Sequence, residues 1–372
     1  MDLITDDAIY EIFSFLTVHD LLMMACINKR FLKISRNHVW PQECSVNSWK
    51  GYTVQILNYY TFASYSIIGD LSAIKNNHKT KNSILRYHYV KIINGFDKFK
   101  FFDRIMFYEY CDFTKECLNS LIECRFITFT RCYGLNDDNL LSLKDCHKLK
   151  FYHCHKITDQ GISHLNCKKL TFHRCRMING TGLSRSINYR YLKFVESDIN
   201  NKGIYGLKSK KLILSECQYI TNRGIANIKC DYLDISGCDY ITDEGIENLN
   251  CTELKISDCK KLSYKNIDRL KCKNINVYYT DNINDDTLKQ FQKFEKINLS
   301  NCDRVTDLGL VYLKNCKVLK ICNCYYISPQ GILQLNCEKI VFCPCLPYSD
   351  FWIHEISKKM KYKILCDKYC FR

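Results

Sequence analysis

A chain of 372 residues is long enough for two ordinary domains, or for one small domain followed by an extended repeat array. Apolar residues make up 47%, with only 4 Pro and 14 Gly, which excludes a predominantly disordered chain. The formal net charge is +15, yet residues 1–44 hold four Lys or Arg against six acids, so the positive excess lies wholly beyond them. Such a surface can attract nucleic acid or acidic proteins, and the plainer reading is solvated lysines on a repeat surface. The acidic start does not read as a signal peptide and no apolar run reaches bilayer length, so a soluble, cytoplasmic chain without a membrane partner is expected.

Residues 4–40 pattern as three short helices. Ile9, Ile12, Phe13 and Leu16 fall at i, i+3, i+4 and i+7, the stripe of an amphipathic helix beginning near Asp6, with Thr5 as its N-cap. Thr17 can cap a second helix carrying Leu21 and Leu22, and Asn28 a third carrying Phe31 and Ile34. Three such helices make a thin core, so apolar surface is left over for docking. Residues 45–103 are aromatic without a clean period and read as a connector and N-terminal cap, with fragments such as Leu85-x-Tyr87 as candidate degenerate repeats.

From residue 104 to 345 the chain repeats itself about every 21 residues. Cysteines stand at rungs 132, 154, 175, 217, 238, 259, 302, 324 and 345, and Ser197 and Thr280 fill the two missing rungs. A second cysteine ladder runs eight residues ahead, from Cys124 to Cys337. Three residues after each rung comes an aliphatic, then Thr, Ser or Asn, and at the seventh position usually Gly, as in Gly161, Gly224, Gly245, Gly309 and Gly331. Alternating pairs such as Leu149-x-Phe151 and Leu233-x-Ile235 then lead into the next rung. The pair predicts a short strand with two inward residues, and spacings like Ile162/Leu165 or Ile246/Leu249 put two side chains on one face of a short helix. Thr158, Thr221 and Thr242 stand where an N-cap belongs, and the seventh-position Gly is expected to allow close backbone approach in a turn. One repeat cannot bury its own apolar face, so copies must stack, strands forming a parallel sheet on the concave side and helices lying on the convex side. The fold class expected is an α/β solenoid, a horseshoe preceded by a three-helix module. The rung thiols, just past each strand, are expected to be reduced and to bond backbone carbonyls, a role Ser197 and Thr280 could share. Residues 346–372 read as a C-terminal cap.

With the pairs inward, the residues between and after them line the concave face. Those taken as target-binding are Lys150, Tyr152, His153, His173, Arg174, Asp234, Lys255, Asp258, Tyr278, Tyr279, Asn298 and Lys320, with Tyr278 and Tyr279 as the aromatic anchors. The face reads basic around 148–176 and more acidic around 234–258. No phosphate loop, nucleophile elbow or zincin motif appears. His153-Cys154-His155 and His173-x-Cys175 invite a metal or catalytic reading, but in the repeat register the cysteines point inward and His153 and His173 outward. Cys322, Cys324, Cys343 and Cys345 could gather four sulfurs, though two are already rungs. The expectation is no enzyme, no cofactor and no metal.

The pattern Cys-x-x-Ile-Thr-Asp-x-Gly-Ile-x-x-Leu-x-Cys-x-x-Leu-x-Ile-x-x-Cys, carried best by residues 238–259, resembles the cysteine-containing leucine-rich repeat, in copies shorter than is usual there. Asp6-Asp7 through Leu16, Asp20-Leu21-Leu22, Asn28-Lys29-Arg30-Phe31 and Trp40 resemble the F-box, with Ile4-Thr5 where that family has Leu-Pro. The resemblance implies that Ile4, Thr5, Ile9, Ile12, Phe13, Leu16, Leu21 and Leu22 contact a Skp-type adaptor and, through it, a cullin. The AT-rich coding bias with many repeats is similar to F-box repeat proteins of giant DNA viruses, which would put the chain in a host cytoplasm or nucleus. The implied function is substrate recognition in an SCF-type ubiquitin ligase, the alternatives being a repeat scaffold without ligase coupling and, less favoured, a basic nucleic-acid binder.

Overall fold

The computed structural model describes residues 64–66, 84–88, 104–108, 113–122, 124–314 and 316–341. The module expected over residues 4–40, the C-terminal cap, Cys343 and Cys345 lie outside them. The chain divides into two compact units, residues 1–167 and 168–372.

In the first unit, β1 (Ser64–Ser66), β2 (Ile84–His88), β3 (Arg104–Tyr108), β4 (Phe126–Thr130) and β5 (Leu149–Tyr152) pair parallel in sequence order. Strand β2 sets Leu85 beside Ile105 and Tyr87 beside Phe107, so the repeat register reaches upstream of residue 104. Three helices follow their strands: α1 (Lys115–Asn119), α2 (Asp137–Leu141) and α3 (Asp159–Ile162). Phe107, Phe129 and Phe151 are fully buried and stack face to face, with ring centroids 5.3 and 5.6 Å apart.

In the second unit, β6 (Lys169–His173), β8 (Tyr191–Val195), β10 (Lys211–Ser215), β11 (Tyr232–Asp234), β12 (Glu253–Lys255), β13 (Asn274–Asn276), β14 (Lys296–Asn298), β15 (Val318–Lys320) and β16 (Lys339–Val341) pair parallel in order. The short strands β7 (Asn188–Tyr189) and β9 (Lys208–Ser209) pair separately. Helices α4 (Asn201–Ile204), α5 (Asn222–Ile225), α6 (Asp243–Glu247), α7 (Asp285–Leu288), α8 (Asp307–Leu310) and α9 (Pro329–Leu333) connect the strands. No helix of the described residues is long and apolar enough to cross a membrane.

Every alternating pair points inward as the period predicts: Leu212 and Leu214, Leu233 and Ile235, and Leu254 and Ile256 are all fully buried. Ile246 and Leu249 are buried too, although α6 ends at Glu247, so a turn rather than a longer helix brings Leu249 in. The rungs behave as expected. Cys132 Sγ donates to the Phe107 carbonyl (3.4 Å), Cys238 to Leu214 (2.9 Å), Cys302 to Val277 (3.3 Å) and Cys324 to Leu299 (3.1 Å), each about 25 residues back. Ser197 Oγ makes the same bond to Phe172 (3.4 Å). Thr280 Oγ1 donates instead within its own repeat, to Tyr278 O (3.2 Å). All the described cysteines are free thiols. Burial pushes the thiols of Cys217 and Cys259 up to about 12.

The helix starts hold a feature the spacing did not reveal. At several helix starts the residue after the N-cap reaches forward one repeat. Asp137 Oδ1 accepts from Thr158 N (2.7 Å) and Oδ2 from the Thr158 hydroxyl (2.6 Å); Asp285 does the same for Thr306, and Asp307 for Ser328. Asn201 and Asn222 serve Thr221 and Thr242, but their Nδ2 donates into the threonine oxygen. A departure from expectation at the caps accompanies this difference. Thr158, Thr306 and Ser328 give their proton to a carboxylate and keep a lone pair to cap their helix. Thr221 and Thr242 receive a proton and make no side-chain cap bond.

The same contact accounts for the glycines, and it corrects the expected turn role. A Cβ on Gly161 would lie 2.3 Å from Asp137 Oδ1, on Gly245 2.2 Å from Asn222 Oδ1, and on Gly331 2.0 Å from Asp307 Oδ1. The close approach is to a side chain of the preceding repeat, inside a helix. Where the position after the cap holds Lys115 or Tyr264 instead, the seventh position of the next repeat is Asn139 or Thr287, and each closes a reciprocal capping box with Asn136 or Asn284.

Two stretches depart from the regular copy, those leading up to the Ser197 and Thr280 rungs. The stretch after Cys175 holds turns in place of a helix, with Gly180 at φ 93°. The stretch after Cys259 has a 3-10 helix, Ile267–Arg269, and buried Tyr264 at φ 61° with its hydroxyl on Ile256 O (3.0 Å).

Candidate functional site

The strand face carries two outward rows. In the second unit the first row runs Thr171, Lys193, Ile213, Asp234, Lys255, Asn276, Asn298, Lys320, each beside the next. The second row lies two residues on and includes His173, Val195, Ser215, Ser236, Ser257, Tyr278 and Ser300. In the first unit Lys150 and Tyr152 occupy these rows beside Thr128 and Thr130. Beyond them comes a column of left-handed residues, among them Arg131 and His153 in the first unit and Arg174, Glu196, Glu216, Asp258, Tyr279, Asn301 and Asn323 in the second. The column had no period signature of its own. Its conformation turns each strand sharply, and its N–H groups extend the ladder: Arg174 N donates to Val195 O (3.0 Å) and Tyr279 N to Ser300 O (3.0 Å). A left-handed residue with a side chain costs about 1–2 kcal/mol, which that hydrogen bond and the buried rung beside it help offset.

Several expected contact residues are engaged within the fold. Asp234 is only 3% exposed; it receives Lys255 Nζ on Oδ2 (3.0 Å) and Ser236 N on Oδ1 (3.0 Å). Burial opposes the charge of Lys255, but Asp234 and Tyr278 outweigh it and leave the amine above its ordinary pKa. Asn298 Oδ1 is held by Ser300 N and Oγ (3.0 and 2.7 Å). Arg174 pairs with Glu196 (2.6 Å), and His173 Nε2 stands 3.4 Å from the same carboxylate. Burial lowers the His173 pKa, with Glu196 opposing. Lys150, Tyr152, His153 and Lys320 are half-buried on the face, and burial raises the Tyr152 pKa.

Around β11–β13 these residues form one patch. Lys255 Nζ lies 4.9 Å above the Tyr278 ring, and Tyr278 meets Tyr279 edge to face at 5.5 Å. Tyr279 is 59% exposed and Asp258 is exposed beside it. Beneath them, Ser236 Oγ, Ser257 Oγ and Asn276 Oδ1 are buried and have no hydrogen-bond partner. Buried polar groups are ordinarily satisfied, and an orphan costs about 1–3 kcal/mol. Sequence reasoning placed Ser236, Ser257 and Asn276 on the face but not among the contact residues. Among the described residues no group of three His, Cys, Asp or Glu could hold a metal ion. Cys154 and Cys175 are buried while His153 and His173 sit on the outer side.

A leucine-rich-repeat family model matches residues 232–249, one copy of the array. The fold is a leucine-rich-repeat solenoid. No curated protein matches the chain. Among solved structures, the chain is similar to one in a complex of Rad7 and Elc1 from yeast (15% identity, 68% of this chain and 79% of that one, TM-score 0.45). It is similar to an internalin of Listeria monocytogenes (15% identity, 88% and 92%, TM-score 0.36) and to a chain of the mouse RP105/MD-1 complex (12% identity, 86% and 73%, TM-score 0.45). Likeness at this level carries no functional information.

Proposed function

We propose that this chain is a non-catalytic substrate-recognition subunit of an SCF-type ubiquitin ligase. Residues 1–44 would dock a Skp-type adaptor and thereby a cullin, and the strand face would hold a target protein while other subunits transfer ubiquitin. The observation that carries target binding is the patch at Lys255, Tyr278 and Tyr279 over the unpartnered Ser236, Ser257 and Asn276 atoms. An exposed tyrosine against a half-buried one, beside unsatisfied buried polar atoms, is where a partner gains most, from ring burial and from hydrogen bonds now missing. Ligase coupling is supported by the F-box resemblance of residues 4–40 and by its position ahead of cysteine-type repeats.

A second reading, a protein-binding repeat scaffold without ligase coupling, is favoured by Ile4-Thr5 in place of the usual Leu-Pro. A pull-down with a eukaryotic Skp-type adaptor separates the two. The intact chain is expected to be captured, while Ile12→Asp/Leu16→Asp and a version lacking residues 1–44 are not. Failure of the folded intact chain to bind would establish the scaffold reading.

A further inference from the structure

At the edge where the strands of the second unit begin, away from the patch above, the surface is strongly basic. Strands β6, β10, β14 and β16 each open on a lysine: Lys169, Lys211, Lys296 and Lys339. Here a groove of about 1180 Å³ is lined by Lys208, Lys210, Lys229, Lys271 and Lys273, with Asp231 as its one carboxylate. All five lysines are exposed. Lys273 has a partner in Glu295 (3.4 Å), whereas Lys208, Lys210, Lys229 and Lys271 have no carboxylate within ion-pair distance among the described residues. Lys208 and Lys229 are also bridged through their backbones in adjacent repeats, about one strand spacing, roughly 4.8 Å, apart. Like charges set side by side across a ladder are destabilising. An unneutralised row held in register by the solenoid is a preformed seat for negative charge.

We propose that this groove binds a carboxylate-rich peptide segment of a protein partner. Two features favour an acidic peptide over nucleic acid. No aromatic ring lines the groove, so it offers no platform for stacking bases. Its cations are lysines without an arginine, point charges suited to single carboxylates rather than forks for phosphate. The lysines also fall in two groups, at 208–229 and 271–273, separated by the repeat that contributes Asn248 and Asn250. The groups are thus discrete positions along an extended chain, and the side-chain amides between them can bond its backbone. This surface is distinct from the Tyr278 patch and does not depend on ligase coupling.

The test is fluorescence anisotropy of the full chain with a labelled oligo-glutamate peptide and, in parallel, labelled single-stranded and duplex DNA. Lys229→Glu/Lys271→Glu is expected to weaken peptide binding by at least about tenfold. Lys261→Glu/Lys265→Glu, the same charge change at exposed sites outside the groove, should leave it unaltered. Thermal unfolding of both variants confirms that they fold, and Lys229→Gln/Lys271→Gln should show an intermediate loss. No binding of the peptide by the unsubstituted chain, or equal losses in the groove and control variants, would overturn the proposal. Tighter binding of DNA than of peptide, abolished by the groove variant, would also overturn it and assign the groove to nucleic acid.

Discussion

Asn222 and Gly245 are separated by a full repeat yet share one contact, the approach of Oδ1 to the place a Cβ would take. Gly245→Ala is therefore expected to cost about 1–3 kcal/mol, the range for overpacking a closed site. Asn222→Ala should cost a similar amount by stripping Thr242 N of its acceptor. The double variant should cost clearly less than the sum, because removing the amide opens the space the new methyl needs; urea unfolding of the three variants measures the coupling. The rung thiols make a second prediction. Cys238→Ser should be tolerated, as Ser197 keeps the same donor in the same column, whereas Cys238→Val leaves the Leu214 carbonyl without its partner and should be the more destabilising. Cys217 and Cys259 hold their protons up to about 12, above an unfolded thiol. Their contribution to stability is whole below the ordinary thiol pKa near 8.5 and is lost as pH rises from there toward about 12. Mass spectrometry after iodoacetamide treatment at mildly alkaline pH should find both unlabelled until the chain is unfolded.

Helices of four or five residues are too short to persist alone, so their termini must be satisfied by neighbours. The array does this in two ways. A forward-reaching Asp or Asn with Gly in the next helix is one; a local box, Asn136/Asn139 or Asn284/Thr287, is the other. Thr287→Ala removes the second half of a box and is expected to cost about 0.5–2 kcal/mol, read as a fall in urea midpoint. The alternation of the strand pairs and the N-cap column were legible in the sequence because each is set within one repeat. The coupling of Asp137 to Gly161 was not, since it joins residues of different repeats and shows itself only as a pairwise choice at positions five and seven. The 3-10 helix after Cys259 was equally hidden: Tyr264 fills the core where most other copies place a half-buried Asp or Asn, and the helix start gives way around it.

On the scale of the whole chain, the proposed function and the proposed groove would give separate tasks to three regions: residues 1–44, the Tyr278 patch and the lysine groove. Ile12→Asp/Leu16→Asp is expected to abolish adaptor capture while leaving oligo-glutamate binding unchanged. Conversely, Lys229→Glu/Lys271→Glu should spare adaptor capture. Tyr278→Ala/Tyr279→Ala should lower recovery of ubiquitinated target in a reconstituted ligase assay without altering either. A result in which all three variants lose all three activities would mean that the surfaces do not act independently. Repeat arrays couple only nearest neighbours, which is the reason to expect independence.

The sequence by itself determined the solenoid. A period of about 21 residues with two inward apolar positions per copy leaves no other way to bury them, and the rung chemistry follows from small donors placed next to turning backbone. It also placed Lys255, Tyr278 and Tyr279 on the strand face. Only the tertiary structure decided what those face residues are free to do. Asp234, Asn298 and Arg174 looked available in the pattern and are taken up by neighbours, while Ser236, Ser257 and Asn276, on the face but not taken as contact residues, each have a buried side-chain atom without a partner. Periodicity reports which way a side chain points, whereas hydrogen bonding and ion pairing depend on which residue stands opposite, one strand spacing away in space and some twenty residues away in the chain.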